Sequence, residues 1–272
     1  MSLGIMIGPG IGGFLAEIHI KFPLFFSGVI SITAAIITYY VFGNVKSDLK
    51  IEIEQKRQKR ESIMTQLMRS LKTEYFMILL IVFVFSLGLS NFQLTLSLYL
   101  DEKFGYSPLE ISSFLLLSSF AGVVLQLFVL DKLFKKFGEM KVILVCLFIS
   151  VITMLLMIYV STYFLILVVV VLFTIAITFI RLAVNSVISK FAGNEQGYAA
   201  GMNNAYMSLG TTIGPIMAGI LFDWHIDSPF VIGAIILFLS LVMCFIWIRS
   251  KAQYFSMKDM GNNKIISSEK AH

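Results

Sequence analysis

Long uncharged stretches alternate with short charged segments along the whole chain. They are rich in Leu, Ile, Val and Phe, and most reach the roughly 20 apolar residues that a helix needs to cross a bilayer. They cover residues 1–16, 22–45, 75–100, 111–130, 142–180, 196–222 and 228–248. Five predict one helix each, residues 142–180 predict two helices joined near Ser161 and Thr162, and residues 1–16 predict an incomplete helix. The pattern therefore predicts an all-α polytopic membrane protein with seven full transmembrane helices and one truncated helix.

Composition supports the same class and removes others. The chain has 272 residues, of which 58% are hydrophobic and 14% are charged, whereas soluble domains average about 25% charged residues. A soluble globular protein is therefore excluded. Cys146 and Cys244 both fall within predicted spans, so neither a disulfide framework nor a metal site is expected. No nucleophile stands with a base, so we expect no catalytic residues, no cofactor and no enzyme activity.

Lys and Arg residues gather on alternate loops. Eighteen lie in segment 44–74, loops 131–141 and 186–197, and the tail from Arg249, against two on the opposite side. Because cytoplasmic loops carry the excess of Lys and Arg, the asymmetry predicts a multi-pass protein of the cell (plasma) membrane with a cytoplasmic C-terminus. The basic charge thus follows membrane topology, and nucleic acid is not an expected partner.

An internal repeat relates the start of the chain to its last quarter. Residues 1–23 align with residues 207–229 with 12 identities in 23 positions, and glycines, prolines and a histidine coincide. The partner of residues 1–16 is the fifth of six spans predicted after the central segment. Residues 1–16 are therefore predicted to be the fifth span of an earlier half, within a twelve-span design. Parallel repeats of this kind are typical of secondary transporters.

Four segments carry a family resemblance. They are LGIMIGPGIGGFLAE at 3–17, residues 89–112, LDKLFKKFGE at 130–139, and residues 191–223 with their Gly-Pro element. They resemble the major facilitator superfamily, and within it the twelve-helix drug:proton antiporters of the NorA quinolone-efflux type. The resemblance implies a partial major facilitator fold and, at full length, proton-coupled multidrug efflux by alternating access. The implied protein is a monomer in the lipid bilayer whose partners are protons and a small hydrophobic or amphipathic substrate.

Two alternatives to efflux stay open, and both follow from the truncated first span. The chain could be a truncated, non-transporting fragment, or it could be a membrane scaffold or regulator.

The repeat and the charge pattern together divide the chain into four predicted domains. Residues 1–43 are the last two helices of an N-terminal half, residues 44–74 a cytoplasmic loop with an amphipathic helix, residues 75–250 a C-terminal six-helix bundle, and residues 251–272 a loose cytoplasmic tail.

Small residues recur every four positions in both copies of the repeat. This spacing lets another helix backbone approach closely, and a proline bends its helix, which suits a sealed interface between two halves. The resemblance assigns these positions to a gating or antiporter motif: Gly4, Gly8, Pro9, Gly12, Gly13, Gly210, Gly214 and Pro215. Ordinary small-residue packing without a gating role is the alternative.

Uncharged polar residues form stripes at helical spacing, such as Ser86, Ser90, Gln93 and Ser97. Because polar groups that face lipid are costly, the stripes should face the bundle interior or an aqueous cavity. The predicted substrate cavity comprises Asn91, Gln93, Gln126, Thr178, Arg181, Asn185, Asn203 and Tyr206. The alternatives are hydrogen bonding between helices without a ligand and, for Arg181, snorkelling toward the membrane surface.

The resemblance also marks a departure from the family pattern. NorA-like pumps are expected to carry carboxylates in the seventh and tenth helices, and the matching positions here are Gln93 and Thr178. Neither side chain titrates. The departure leaves open whether coupling to protons resides in this half or in helices outside it.

A short basic segment after residues 111–130 resembles the degenerate second copy of the superfamily's loop motif. Its residues are Asp131, Lys135, Lys136 and Gly138. The aspartate would dock on a nearby helix N-terminus in one state and leave it in the other. A solvated cytoplasmic loop is the alternative.

Overall fold

The computed structural model describes residues 3–42, 63–73 and 75–269, and every regular element of that part of the chain is helical. The α-helices are α1 (Leu3–Ile18), α2 (Phe22–Phe42), α3 (Ile63–Ser70), α4 (Phe76–Phe104), α5 (Pro108–Leu125), α6 (Asp131–Phe137), α7 (Glu139–Tyr159), α8 (Tyr163–Ala192), α9 (Gln196–Trp224) and α10 (Ser228–Glu269). A π-helix, Gln126–Leu130, joins α5 to α6, and a 3-10 turn, Gly193–Glu195, joins α8 to α9. The predicted all-α class is confirmed.

Seven helical stretches among the described residues are long and apolar enough to cross a membrane. They are Phe22–Val41, Phe76–Phe104, Pro108–Phe137, Glu139–Tyr159, Tyr163–Ala192, Gln196–Trp224 and Ser228–Arg249. Helix α1 has 16 residues, which at about 1.5 Å per residue makes it shorter than the roughly 30 Å hydrocarbon core. The structure therefore agrees with seven full spans and one short helix.

The predicted break within residues 142–180 is present. Helix α7 ends at Tyr159, and α8 begins at Tyr163. Between them the backbone of Val160 and Thr162 is extended, with ψ angles of 133° and 135°. A polar turn in the middle of a long apolar run is thus a usable signal that one run holds two helices.

The basic loop predicted to begin at Asp131 is wrong in its secondary structure. Residues Asp131–Phe137 form α6, which follows the π-helix directly. The segment contains neither glycine nor proline before Gly138, so nothing in it terminates a helix. Gly138 does so with a positive φ of 78°, a conformation that side-chain-bearing residues avoid.

The prediction of a loose tail from residue 251 is also wrong for the residues that the structure describes. The last helix continues without interruption to Glu269. From Arg249 to Met260 the sequence has no glycine or proline and includes Lys, Ala, Gln and Met, which are good helix formers. Once a helix is nucleated in the membrane, such residues extend it at little cost.

Only part of the central segment lies within the described residues. Met68 in helix α3 and Leu71 directly after it have 63% and 57% of their surfaces exposed. This apolar exposure is compatible with the amphipathic helix predicted on the membrane face, which stays a prediction. Residues 43–62 and 74 lie outside the described part of the chain.

Residue contacts divide the chain into two compact units. The first comprises Met1–Thr73 and Ser97–Phe120, and in it α1 packs on α2, whose apolar side chains stay exposed along the helix. The second comprises Glu74–Leu96 and Ala121–His272, and α8 packs on α7 there. Its core contains three aromatic rings in contact, those of Phe92, Phe173 and Phe230. The four predicted domain boundaries stay predictions.

Both copies of the repeat end in the same turn. The Nδ1 atom of His19 accepts a hydrogen bond from the Lys21 backbone N–H at 3.2 Å. The aligned His225 accepts one from the Asp227 backbone N–H, also at 3.2 Å. In each copy the next helix begins three residues after the histidine and has proline as its second residue, where a missing N–H is harmless. The sequence repeat is therefore also a repeat of local geometry.

Candidate substrate cavity and glycine face

The glycine face of α9 lies against the backbone of α4 within the second unit. A β-carbon placed on Gly210 would lie 2.6 Å from the Phe83 carbonyl oxygen, and one on Gly214 would lie 2.8 Å from the Leu87 carbonyl oxygen. Real β-carbons do not approach backbone oxygens this closely. Both positions therefore require glycine because the two helices touch through their backbones.

A proline in α9 frees a carbonyl group that α4 satisfies. Pro215 has no N–H, so the carbonyl of Thr211, four residues earlier, receives no bond from it. The Ser90 hydroxyl on α4 donates to this carbonyl oxygen at 3.1 Å. A predicted polar stripe residue therefore serves helix packing here, as the alternative interpretation of the stripes had it.

The other copy of the motif makes different contacts within the first unit. A β-carbon placed on Gly8 or Gly12 would have nothing within 4 Å, whereas such an atom on Gly13 would meet the Ser112 hydroxyl and the Pro108 carbonyl oxygen. Gly4 and Pro9 also lie in α1. The gating role of both copies stays a prediction.

Two predicted cavity residues of α4 lie in different surroundings. Asn91 is fully buried, and its Nδ2 donates to the Pro229 carbonyl oxygen at 2.7 Å. This bond ties α4 to the start of α10. Gln93 is an exposed residue of the second unit. On this helix, Gln93 is therefore the better placed of the two to reach a ligand.

Gln126 and Arg181 bring unused hydrogen-bonding groups to neighbouring helices. Gln126 opens the π-helix, and its Oε1 is buried without a hydrogen-bond partner among the described residues. The Nε of Arg181 on α8 is also buried and has no hydrogen-bond partner among the described residues. The π-helix packs on α8, and single π-turns often occur at functional sites. A hydrogen-bond acceptor on the π-helix and a charged donor on α8 thus lie on adjoining helices, and neither atom makes a hydrogen bond with the described residues.

Thr178 occupies the α8 position where a carboxylate was expected. It is buried, and its hydroxyl donates to the Thr174 carbonyl oxygen at 2.8 Å. Gly122 on α5 faces it, since a β-carbon there would lie 3.5 Å from the Thr178 hydroxyl. The side chain is small, neutral and already bonded to its own helix.

Asn185 and Asn203 join α8 to α9 at the edge of a polar cavity. The Nδ2 of Asn203 donates to the Asn185 Oδ1 at 3.0 Å. The cavity has a volume of about 290 Å³ and is also lined by Ser189, Gln196 and Asn204. The Oδ1 of Asn203 is buried and has no hydrogen-bond partner in the described part of the chain.

The remaining predicted residues lie on two helices of the second unit, α9 and α6. Tyr206 is buried on α9, and its ring and that of Phe76 on α4 form a T-shaped pair with 6.4 Å between centroids. Asp131, Lys135 and Lys136 are exposed on α6. The structure gives no docked partner for Asp131 among its described contacts, and the switching role of this segment stays a prediction.

One ionic contact escaped the sequence interpretation. Glu139, at the start of α7, pairs with the Lys190 ammonium and accepts a hydrogen bond from the Ser186 hydroxyl at 3.1 Å. The signal was available, because an acid at the start of one span and a lysine at the end of the next belong to the same membrane face. The contact ties the ends of α7 and α8 together.

The sequence profile of the Major Facilitator Superfamily matches residues 78–258 of this chain. The chain belongs to the major facilitator superfamily. Among curated relatives, it is 35% identical over 254 residues to Multidrug resistance protein 2 of Bacillus subtilis, covering 92% of this chain and 63% of that protein. It is 34% identical over 247 residues to Multidrug resistance protein 1 of the same organism, covering 91% and 62%.

A third relative comes from another bacterium. The chain is 33% identical over 230 residues to Quinolone resistance protein NorA of Staphylococcus aureus, covering 84% of this chain and 58% of the relative. The chain therefore spans about three fifths of the length of the curated relatives it matches. Membership of the major facilitator superfamily makes it a multi-pass membrane protein of a transporter family rather than of an enzyme family.

Proposed function

We propose that this chain supplies the second half of a multidrug efflux transporter that exports small hydrophobic or amphipathic molecules. The observation that carries the proposal is the set of unused polar groups in the second unit. The Gln126 Oε1, the Arg181 Nε and the Asn203 Oδ1 are buried and lack partners among the described residues. The names of the relatives, which are resistance proteins for drugs in general and for quinolones, support the substrate class.

The chemistry of these groups suits varied ligands. Gln126 and Asn203 offer neutral acceptors, and Arg181 offers a charged donor that attracts an anionic or strongly accepting substituent. In small-molecule sites, apolar walls bind ring systems and a few polar groups orient them, and the polar cavity at Asn185 and Asn203 would supply orienting groups. Each ligand would use a subset of the three.

Proton coupling is proposed to rest outside α4 and α8. Gln93 and Thr178 hold the positions at which similar pumps are expected to carry carboxylates, and neither exchanges a proton. The proposed transport cycle is alternating access, in which a cavity opens to each side in turn. The backbone contact of α4 with Gly210 and Gly214 is proposed to keep these two helices packed against each other during the cycle.

A chimera tests the proposal directly. Residues 1–272 would replace the matching part of Multidrug resistance protein 2 of Bacillus subtilis, and ethidium efflux would be measured in a strain that lacks its own pumps. We expect efflux from the chimera and none from the 272-residue chain alone, because one half offers only part of a cavity wall. Arg181→Gln should lower efflux of a quinolone, whose carboxylate and ketone oxygens can accept from Arg181, about tenfold or more, as expected when a charged hydrogen bond is lost. Arg249→Gln is the matched control outside the proposed cavity.

Two results would contradict the proposal. Efflux from the chain alone would show that a second half is not needed. A chimera that reaches the membrane, melts at the temperature of the parent pump and still exports no ethidium would favour the fragment or scaffold interpretation.

The Gln93 position offers a second test in the same chimera. Gln93→Glu places a titratable group on the exposed face of α4, so efflux of a cationic dye should rise and become more dependent on external pH. Gln93→Leu should reach the membrane but recognise polar substrates less well. Unchanged dye efflux and an unchanged pH profile in both variants would show that Gln93 faces lipid or packing rather than substrate.

A further inference from the structure

The second unit contains an apolar groove that the proposed function does not use. It has a volume of about 420 Å³ and lies between α6, α7 and α8. Its floor is formed by buried side chains, among them Cys146, Ala176 and Phe179, and its rims by the exposed Val145 and Leu172. Its single charged lining residue among those described is Lys141, which is exposed.

The length of the groove matches one leaflet of a bilayer. Along α7 the lining runs from Lys141 to Ile149, which at about 1.5 Å per residue is roughly 12 Å. One leaflet of a hydrocarbon core about 30 Å thick is about 15 Å deep. Lys141 lies near the first residue of the span Glu139–Tyr159, so the charge is at the headgroup end of the groove and the apolar lining extends toward the bilayer centre.

The charges around the mouth of the groove favour an anion. Lys132, Lys135 and Lys136 are exposed on α6, one short helix away from Lys141. Glu139, the nearest acid in sequence, is already paired with Lys190 and Ser186. Asp131 is the remaining acid of this segment and is exposed. Four lysines in this region are therefore balanced by only one carboxylate that is not engaged in a described ion pair, so the net charge there is positive.

We propose that this groove binds one anionic phospholipid, with an acyl chain along α7 and α8 and the headgroup phosphate at Lys141. Basic pockets between transmembrane helices are known to bind anionic headgroups, and each lysine near an anionic surface contributes about 1 kcal/mol, or about fivefold in affinity. The apolar lining alone fits any acyl chain. The position of Lys141 at the surface end makes the site selective for a negative headgroup.

Quenching of tryptophan by brominated lipid tests the proposal on the purified 272-residue chain in vesicles. In a Trp224→Phe, Trp247→Phe background, Val145→Trp places a fluorophore on the groove rim, and Ile152→Trp places one on the same helix beyond the groove. Brominated phosphatidylglycerol is mixed into phosphatidylcholine, and the relative binding constant is obtained from quenching. We expect about a fivefold preference for phosphatidylglycerol at position 145 and a ratio near one at position 152.

Two lysine variants locate the headgroup. Lys141→Gln should bring the preference at position 145 down to about one. Lys132→Gln removes the same charge from α6 without touching the groove lining, and it should leave most of the preference. Both lysines are exposed, so neither variant should disturb folding, and an unchanged melting temperature verifies this.

Three outcomes would overturn the proposal. Equal quenching by the two brominated lipids at position 145 would mean an ordinary lipid-facing surface. Equal loss of preference in both lysine variants would mean diffuse attraction of anionic lipid rather than a site. Loss of the preference on addition of 10 mM inorganic phosphate, at about constant ionic strength, would mean an anion site that does not require a lipid.

Discussion

The two copies of the repeat share 12 of 23 residues but use their small residues differently. In α9, Gly210 and Gly214 lie against the backbone of α4, whereas in α1 the glycine aligned with Gly214, Gly8, has no neighbour within 4 Å. In α1 the close approaches are those of Gly10 to Leu116 and of Gly13 to Ser112, and Gly219, the aligned partner of Gly13, has none. The motif therefore specifies a helix that permits close approach on more than one face, and the neighbouring helix decides which glycine is required.

The largest expected effect comes from Gly214→Val compared with Gly8→Val. A β-carbon at Gly214 meets backbone that cannot rotate away, so α4 and α9 must separate, at a cost of about 3 kcal/mol. Gly8→Val should change the free energy of unfolding by less than about 1 kcal/mol. Thermal unfolding, followed by labelling of the buried thiols of Cys146 and Cys244, measures both. Equal losses from the two substitutions would show that the copies pack alike.

The reverse contrast is expected one turn further along. Gly13→Val should destabilise the chain by about 1–2 kcal/mol, because the β-carbon would meet Ser112 and the Pro108 carbonyl oxygen. The Ser112 hydroxyl can rotate away, but its β-carbon, 2.2 Å from the added carbon, cannot, so the short helix α1 has to shift. Gly219→Val is the matched control and should be nearly neutral. Resistance to chymotrypsin in detergent gives the readout, and a larger loss at Gly219 would contradict the contrast.

A double-mutant cycle isolates the hydrogen bond at the proline of α9. Ser90→Ala should cost about 1 kcal/mol, within the range measured for interhelical hydrogen bonds in membrane proteins. In the Pro215→Ala background the helix supplies its own N–H to the Thr211 carbonyl, so the cost of Ser90→Ala should fall by more than half. An equal cost in both backgrounds would show that Ser90 acts through packing alone.

The smallest expected effect tests where the two copies agree. His19→Ala and His225→Ala each remove an acceptor of a backbone N–H at 3.2 Å, and each should cost about 0.5 kcal/mol at an exposed turn. Asparagine at either position, which also offers an acceptor, should restore most of the loss. Unequal costs would show that the two turns, although alike in geometry, contribute differently to the free energy of unfolding.

The sequence predicts the membrane-spanning helices better than it predicts the segments between them and the contacts that the helices make. Uncharged length and a polar turn predict the spans and the break at Ser161 because a bilayer imposes both. The same reasoning placed residues 131–138 in a loop because four charged residues lie there. Helix propensity and the absence of a glycine before Gly138 decided otherwise.

The candidate cavity shows a similar division. Periodicity groups Ser90 and Gln93 on one stripe, yet Ser90 is bonded to a carbonyl on α9 and Gln93 is exposed. A stripe covers a wide arc of helix surface, and the neighbours that divide this arc come from residues more than a hundred positions away. The π-helix at Gln126 packs on α8, and no local pattern in the sequence indicates it.

The hydrogen bond from Ser90 to the Thr211 carbonyl has a consequence for how α9 changes its bend. In an unbroken helix, a change of curvature separates backbone groups that find no other partner in a nonpolar medium. At Pro215 the backbone bond is already absent, and the substitute is a hydroxyl that turns about a single torsion. A water molecule entering from an aqueous cavity would offer the same donor. A change of bend at Pro215 would therefore exchange one hydrogen-bond donor of the Thr211 carbonyl for another, and no backbone hydrogen bond of α9 would have to break for it.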